Sequence, residues 1–452
     1  DLEGLSKNSI LASGVPGSVS GLGYMHSKYG KLDWDTLVLP SVLLAKYGFY
    51  LDPHNVSILN NPDLKNKLSR FKETKDIFTK DIEYELNELF IQENLSKTLE
   101  RIATYGYKEF YNGKTADMII LTMKKYGGII THDDLKKYIP IESNPIKFSY
   151  KDYNILSMPP SSSGGVTLAL ILNQFENVDL SSILFHDSNH IHYLVESEKR
   201  AYAERHKYLG DPSYVDIPIE NLIAQQYADS LFFTINDTIS TTSDHIYNDG
   251  IIINHNEKSE TTHFSIIDQY GNCVSLTTSL NGWFGNGITV IDSGFLLNNE
   301  MDDFSIKPGY PNMYGLVGSI ANSIEPGKRM LSSMTPTIVT NQDNTPFLIL
   351  GTPGGSTIIT TIAQVIINAI DFNMEIKDAV ESRRFHHQWL PDLIQLEKNS
   401  LSTEVIDKLI DMNHDYIYRS SIGIGEANCI LIENNTFYGS SDSRRGSSAL
   451  AY

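Results

Sequence analysis

The chain has 452 residues, 41% of them hydrophobic and 20% charged, which is enough apolar material for a large buried core and for two or three domain-sized units. The formal net charge is -19, from 55 acidic and 36 basic residues, and that excess disfavours nucleic acid and anionic membrane as partners, because a phosphate surface attracts a basic one. Two cysteines, Cys273 and Cys429, stand in apolar strand-like contexts and read as small buried hydrophobes, not as a disulfide framework.

No run of 18 or more apolar residues occurs, so no membrane span is expected. No signal peptide is visible, and Asp1 in place of a Met reads as a processed or truncated start. The first 260 residues read as mostly helical, with apolar residues at helical spacing over 35–48, 82–105, 115–126 and 167–176. Tyr193 to Tyr208 is a further helix, rich in Glu, Lys, Arg and Ala. Pro/Ser/Gly-rich loops interrupt the pattern at 13–18 and 158–165. Residues 229–260 are polar and poor in large apolar side chains, and are expected to form an exposed or mobile linker.

At Thr261 the pattern switches to strands. HFSIID and CVSLTTSL flank Gln269-Tyr270-Gly271-Asn272, which predicts a hairpin. Two more hairpins are expected over 336–350 and 428–438, and 356–371 reads as a helix packed on a sheet. A three- or four-residue loop near Tyr270 makes paired positions sum to about 540, which puts Ser279 or its neighbour opposite Thr261. Alternation then predicts Ser279 and Asn281 on one face.

A threonine hydroxyl is a poor nucleophile unless a base takes its proton. If the Glu260–Thr261 bond is cut, the new α-amine has a pKa of about 8 and serves as that base, directly or through water. The polar linker suits a segment that must release its end. A Thr-Thr pair opening a strand is common by itself, so the surrounding words decide its meaning.

Those words are TTHFSIIDQYGNCVSLTTSLN, FGNG, SGFLLNNEMDDFS, KPGYPNMYGLVG, RMLSSMTPTIV and GTPGGS. In order and spacing they closely resemble the small subunit of γ-glutamyltransferases. LASGVPGSVSGL, LSMPPSSSGG, EKRAYAERHKYLGDP and RFHHQWLPD resemble other segments of that family, so the likeness runs from near Ser9 to Tyr452. The resemblance implies an α+β fold, a four-layer αββα sandwich of the N-terminal nucleophile hydrolase type. It also implies one precursor that cuts itself between Glu260 and Thr261. Residues 1–260 then belong to the large subunit and 261–452 to the small one.

By resemblance, Thr261 is the nucleophile, and Ser279 stands where the family usually has a threonine bonded to the nucleophile's hydroxyl. Asn281, Glu300 and Asp303 match the residues that hold the substrate α-ammonium, a role that suits carboxylates and an amide oxygen. Ser332 and Ser333 match the pair that binds the substrate α-carboxylate. Gly354 and Gly355 match the oxyanion hole, where glycine lets backbone N–H groups approach a developing negative charge. Tyr314 lies in the segment that resembles a lid over the γ-glutamyl pocket, which favours small substrates over polymers.

The implied partners are glutathione and related γ-glutamyl amides, with water, amino acids or dipeptides as acyl acceptors. No cofactor is implied. The implied location is periplasmic or secreted. His386-His387 lacks the spacing of a metal motif, and no G-x-S-x-G for a serine hydrolase is present. An arginine that clamps the substrate carboxylate lies in a family segment with no counterpart here. Arg383 and Arg384 belong to another motif and do not replace it. Two other readings stay open: an acylase of the same fold acting on glutaryl-like or polymeric amides, and an inactive relative with a binding or structural role.

Overall fold

The computed structural model describes residues 4–248, 261–419 and 423–451. The chain divides into two units, one from Asp1–Glu142 and Leu280–Asp302, the other from Ser143–Ser279 and Asp303–Tyr452. Each unit draws on residues from both sides of position 260, so the folding units and the expected subunits are different divisions of the chain.

The first unit is mainly helical, with α1 (Ser18–Tyr29), α2 (Trp34–Tyr47), α3 (Glu93–Tyr105) and α4 (Lys114–Tyr126). α2 lies along α3, and the Trp34 indole donates to the Ile102 carbonyl at 2.9 Å. One apolar cluster gathers Ile102, Ile119 and Met123 with Ile288, Val290 and Leu297. A second is built around Leu51, Leu68, Phe78 and Phe90. The helix expected over 82–105 begins only at Glu93, because Asn87 takes φ 62 and Leu89–Phe90 pairs as a short strand with Phe49–Tyr50.

The second unit carries β1 (Ile146–Tyr150), β2 (Tyr153–Ser157), α5 (Gly164–Phe175) and α6 (Ser188–Tyr208). After position 260 come the hairpin β3 (Thr262–Ile267) and β4 (Cys273–Thr278), the hairpin β5 (Thr337–Asn341) and β6 (Pro346–Gly351), α7 (Ile358–Ile370), α8 (Ile376–Glu381), and the hairpin β7 (Asn428–Glu433) and β8 (Thr436–Ser441). Six strands form one antiparallel sheet in the order β8-β7-β6-β5-β2-β1. Val339, Leu348, Leu350, Cys429 and Leu431 face the layer of α5, α6, α7 and α8. Every residue of α5 is buried, and Ile359, Ile362, Ile366 and Ile367 of α7 are fully buried. Each such side chain contributes about 1.5–3 kcal/mol.

The β3–β4 hairpin covers the other face of the sheet. Side chains alternate along β6, so Gly351 faces away from the helices, and a Cβ there would lie 2.0 Å from His263 Cε1. Only glycine allows that approach. Ser265 donates to the Asn428 carbonyl at 3.0 Å and Ser275 to the Leu350 carbonyl at 2.9 Å. Helices, sheet and hairpin thus make successive layers.

Residues 233–248 are exposed at most positions, as their composition suggests, but a few of their polar groups are anchored to buried charges. Asp187 caps α6, whose buried middle carries Glu196, Lys199 and Arg200. Lys199 Nζ donates to Ser240 Oγ at 2.8 Å, and Arg200 Nε donates to Thr234 Oγ1 at 2.8 Å. Ser243 N donates to Asp392 at 2.7 Å, and the Trp389 indole donates to the Ser243 carbonyl at 2.9 Å. The polar residues of this segment satisfy buried charges. Residues 249–260, with the rest of the expected linker, lie outside the described residues. Of the two thiols Cys429 is buried as expected, whereas Cys273 is only half-buried; neither is in a disulfide.

Candidate active site at the mouth of a hairpin

The register of the first hairpin is the one the arithmetic predicts. Thr262 pairs with Thr278 and Ile267 with Cys273. The loop tightens on Asp268, whose carboxylate accepts from the N–H groups of Tyr270 and Asn272, both at 2.9 Å. At the open end, Thr261 Oγ1 and Ser279 Oγ are 3.3 Å apart, and both residues are half-buried. The bond partner of Thr261 in the expected cleavage, Glu260, lies outside the described residues.

His263 is the nearest imidazole along the strand. Burial pushes its pKa down to about 3, and its ring nitrogens engage Thr277 Oγ1 at 2.9 Å and Ser265 Oγ at 3.1 Å. A neutral ring with both nitrogens occupied is a structural anchor, not a base.

Along β3, Ser265 meets β7 at Asn428 and His263 meets β6 at Gly351. The lead-in to β5 carries Ser332 and Ser333. That lead-in is laced to the loop before α5. Ser163 N donates to the Ser332 carbonyl at 2.8 Å and Ser332 N to the Ser161 carbonyl at 3.0 Å. Ser163 Oγ also donates to the Ser332 carbonyl, at 2.7 Å. Arg205 of α6 lies behind this strap, with Nε 2.9 Å from Ser163 Oγ and Nη2 3.4 Å from Ser333 Oγ.

Gly354 and Gly355 form the turn between β6 and α7. Gly354 has φ 149 and Gly355 has φ 57, and a Cβ on Gly354 would sit 2.7 Å from Thr357 Oγ1. Thr357 braces the turn by donating from N and Oγ1 to the Gly354 carbonyl, at 3.1 and 2.9 Å. Tyr202 of α6 donates to the Ser356 carbonyl at 2.6 Å. Among the described residues, no acceptor pairs with the N–H of Gly354 or Gly355. A rigid turn with two available amides has the chemistry of an oxyanion site.

Asp303 accepts from Asn312 Nδ2 at 3.2 Å, and its carbonyl accepts from Asn322 Nδ2 at 2.7 Å. Asn312 also folds the segment of Tyr314, its Oδ1 accepting from Tyr314 N at 2.9 Å and from Leu316 N at 3.1 Å. Tyr314 is only 4% exposed, and its carbonyl accepts from Gln388 Nε2 at 3.0 Å. The segment is a folded turn joined to Asp303, which a free surface loop would not be.

Asn281 and Glu300 belong to the first unit, where Asn299 joins them. The expected alternation from Ser279 to Asn281 does not hold, because β4 ends at Thr278 and Asn281 takes φ 70. Asn281 Nδ2 donates to the Asn299 carbonyl at 3.0 Å, and Asn299 Oδ1 accepts from Gly282 N at 2.8 Å. Burial raises the Glu300 carboxyl to about 7, against the opposing effect of the Asn281 backbone N–H, which favours its ionised form.

His386 is fully committed to Thr360 Oγ1 and Gln388 Oε1, both at 2.8 Å, and His387 Nδ1 accepts from Trp389 N at 3.1 Å. Arg384 is buried in an ion pair with Asp442 at 2.8 Å, a structural role. Arg205, Ser163, Asn299 and Asn312 were not singled out from sequence. The only signals for them were their places inside EKRAYAERHKYLGDP, LSMPPSSSGG, SGFLLNNEMDDFS and KPGYPNMYGLVG.

Comparison with known proteins places this geometry in context. The family model described as Gamma-glutamyltranspeptidase matches residues 2–452. The glutathione hydrolase proenzyme of Escherichia coli (strain K12) is 41% identical over 441 residues, which cover 97% of this chain and 75% of that protein. The glutathione hydrolase proenzyme of Pseudomonas sp. (strain A14) is 38% identical, over 100% of this chain and 79% of its own. The crystal structure of cephalosporin acylase from Bacillus halodurans superposes with a TM-score of 0.80 at 22% identity, covering 98% of this chain and 80% of that one. That likeness bears on the fold alone, an α+β arrangement of sheets and helices.

Proposed function

This chain belongs to the gamma-glutamyltranspeptidase family, and we propose that Thr261 is its nucleophile once the Glu260–Thr261 bond has been cut. The protein is a self-processing γ-glutamyltransferase and hydrolase that acts on glutathione and related γ-glutamyl amides. The observation that carries the assignment of Thr261 is its 3.3 Å contact with Ser279 Oγ at the mouth of a hairpin seated on the sheet.

In this reading the freed α-amine of Thr261 takes the proton of its own hydroxyl. Oγ1 attacks the γ-carbonyl carbon and forms a tetrahedral intermediate, whose oxyanion accepts from the amides of Gly354 and Gly355. The C–N bond breaks, the amine returns the proton to the leaving nitrogen, and a γ-glutamyl ester remains on Thr261. Water, an amino acid or a dipeptide then attacks the ester and restores the hydroxyl. Asn281, Glu300 and Asp303 are assigned to the substrate α-ammonium, Ser332 and Ser333 to its α-carboxylate, and Tyr314 to the cover of the pocket. Residues up to Glu260 form the large subunit and residues from Thr261 the small one. Export to the periplasm or the medium completes the reading, and cell fractionation checks it.

A mass spectrum of the denatured protein tests the central assignment. A fragment beginning at Thr261 is expected, and Thr261→Ala leaves one uncut chain without turnover. An active, processed Thr261→Ala protein overturns it.

A further inference from the structure

Arg205 is a buried cation without a counter-ion among the described residues. It is 4% exposed, yet its bonded partners are two neutral hydroxyls, Ser163 Oγ and Ser333 Oγ. Among the described residues no carboxylate forms an ion pair with it, although the field of Asp303 reaches it. The contrast within α6 is plain. Arg200, one and a half turns earlier, is equally buried and pairs with Glu196 at 2.7 Å. A buried charge left without an opposite charge is costly, and one partner that supplies the missing anion removes much of that cost.

The contacts also fix a direction. A hydroxyl has one proton and two lone pairs. When Ser333 Oγ accepts from Arg205 Nη2, its proton is turned away from the guanidinium. Ser163 is fixed in the same way, because its Oγ accepts from Arg205 Nε and spends its proton on the Ser332 carbonyl. Arg205 thereby holds the Ser332–Ser333 strap from behind and leaves the Ser333 hydroxyl to donate outward.

Building on the reading of Ser332 and Ser333 given above, we propose that Arg205 is a positioning residue for the substrate α-carboxylate. It aims the Ser333 hydroxyl at the carboxylate and supplies the positive charge behind the serine pair. With Asp303 close enough for its charge to be felt at the guanidinium, the two charges together match the two charges of an α-amino acid headgroup. This function is separate from catalysis, since Arg205 touches neither the nucleophile nor the reacting carbonyl.

The test compares two anilides that differ in one group. γ-Glutamyl p-nitroanilide carries the α-carboxylate, and 4-aminobutanoyl p-nitroanilide keeps the amine and the scissile amide but lacks it. Steady-state kinetics are measured on the processed full chain and on Arg205→Met, Arg205→Lys and Ser163→Ala. Arg205→Met is expected to raise KM for the γ-glutamyl substrate about tenfold or more, the scale of a lost charge-assisted contact, and to leave KM for the other within about twofold. Arg205→Lys is expected to recover part of the loss, and Ser163→Ala to shift the same ratio by less. An equal loss on both substrates overturns the inference, because a simple brace of the strap would act on both. If Arg205→Met does not fold, the Ser163→Ala ratio decides, and an unchanged ratio overturns the inference. Absence of turnover in the unsubstituted chain overturns the Thr261 reading itself and is told apart by that control.

Discussion

Thr261 Oγ1 and Ser279 Oγ lie 3.3 Å apart across the open end of one hairpin, the only two hydroxyls that this register places opposite each other beyond the last ladder pair, Thr262 and Thr278. The hairpin is held on the sheet by Ser265, Ser275 and His263, so the spacing of the two hydroxyls is set by packing and not by the pair itself.

Ser279→Ala removes the hydroxyl that orients Thr261 Oγ1. The expected result is a fall in kcat of about 10-fold, the scale of one hydrogen bond, with little change in melting temperature. Ser279→Thr should keep most of the activity, since it retains the oxygen. Single-turnover kinetics with a γ-glutamyl anilide separate the acylation step, and equal rates for Ser279→Ala and the unsubstituted chain would show that the contact is incidental.

Gly354→Ala puts a Cβ 2.7 Å from Thr357 Oγ1 at a backbone φ of 149 that side chains rarely adopt. Thr357 braces the same turn, so it cannot yield without releasing the Gly354 carbonyl. The strain is about 1–3 kcal/mol of stability. Displacing an oxyanion donor costs about 100-fold or more in kcat. KM should change little, and a variant with full kcat and an unchanged melt counts against an oxyanion role.

The hairpin register was legible because alternation and a short loop leave few pairings, and the sum of paired positions is fixed once the loop is. The layer of α5, α6 and α7 was legible in outline from helical spacing. Arg205 was not, because a helix rich in Glu, Lys and Arg does not say which of its charges is enclosed, and only tertiary structure shows that Glu196, Lys199, Arg200 and Arg205 are buried. The same network anchors the largely exposed segment 233–248 at Thr234 and Ser240, which pair with charges more than thirty residues away in sequence. Asn281 escaped the alternation rule because the strand stops before it and the backbone turns to φ 70. Words such as NNEMDDFS carried the site residues where periodicity had nothing to say.

Glu300 should give the enzyme an acid limb. Its carboxyl is raised to about 7 by burial, so it is protonated in the folded protein at a pH where an ordinary glutamate, near 4.5, is ionised. An ammonium-binding role needs the ionised form, so KM for a γ-glutamyl substrate is expected to rise as pH falls through about 7, and Glu300→Gln should lose that limb. The stability sign is the reverse. The folded state holds the proton more tightly, so this group favours folding below 4.5 and that contribution is lost as pH rises to about 7. Thermal melts and KM profiles over this window check both signs.

Glu198 isolates the same linkage away from the reaction. It is fully buried in α6; its Oε2 accepts from His387 N at 2.8 Å, and its Oε1 has no partner among the described residues. Burial pushes its carboxyl well above the ordinary 4.5. The folded chain therefore keeps this proton while the unfolded chain releases it. Stability falls by up to about 1.4 kcal/mol for each pH unit from 4.5 until the folded group itself ionises. Glu198→Gln keeps an acceptor for His387 N and has no proton to lose. Its melting temperature should fall less steeply than that of the unsubstituted chain as pH rises above about 4.5, with the two curves diverging. Parallel curves would mean that Glu198 is ionised in the fold, with a counter-charge close enough to hold it so.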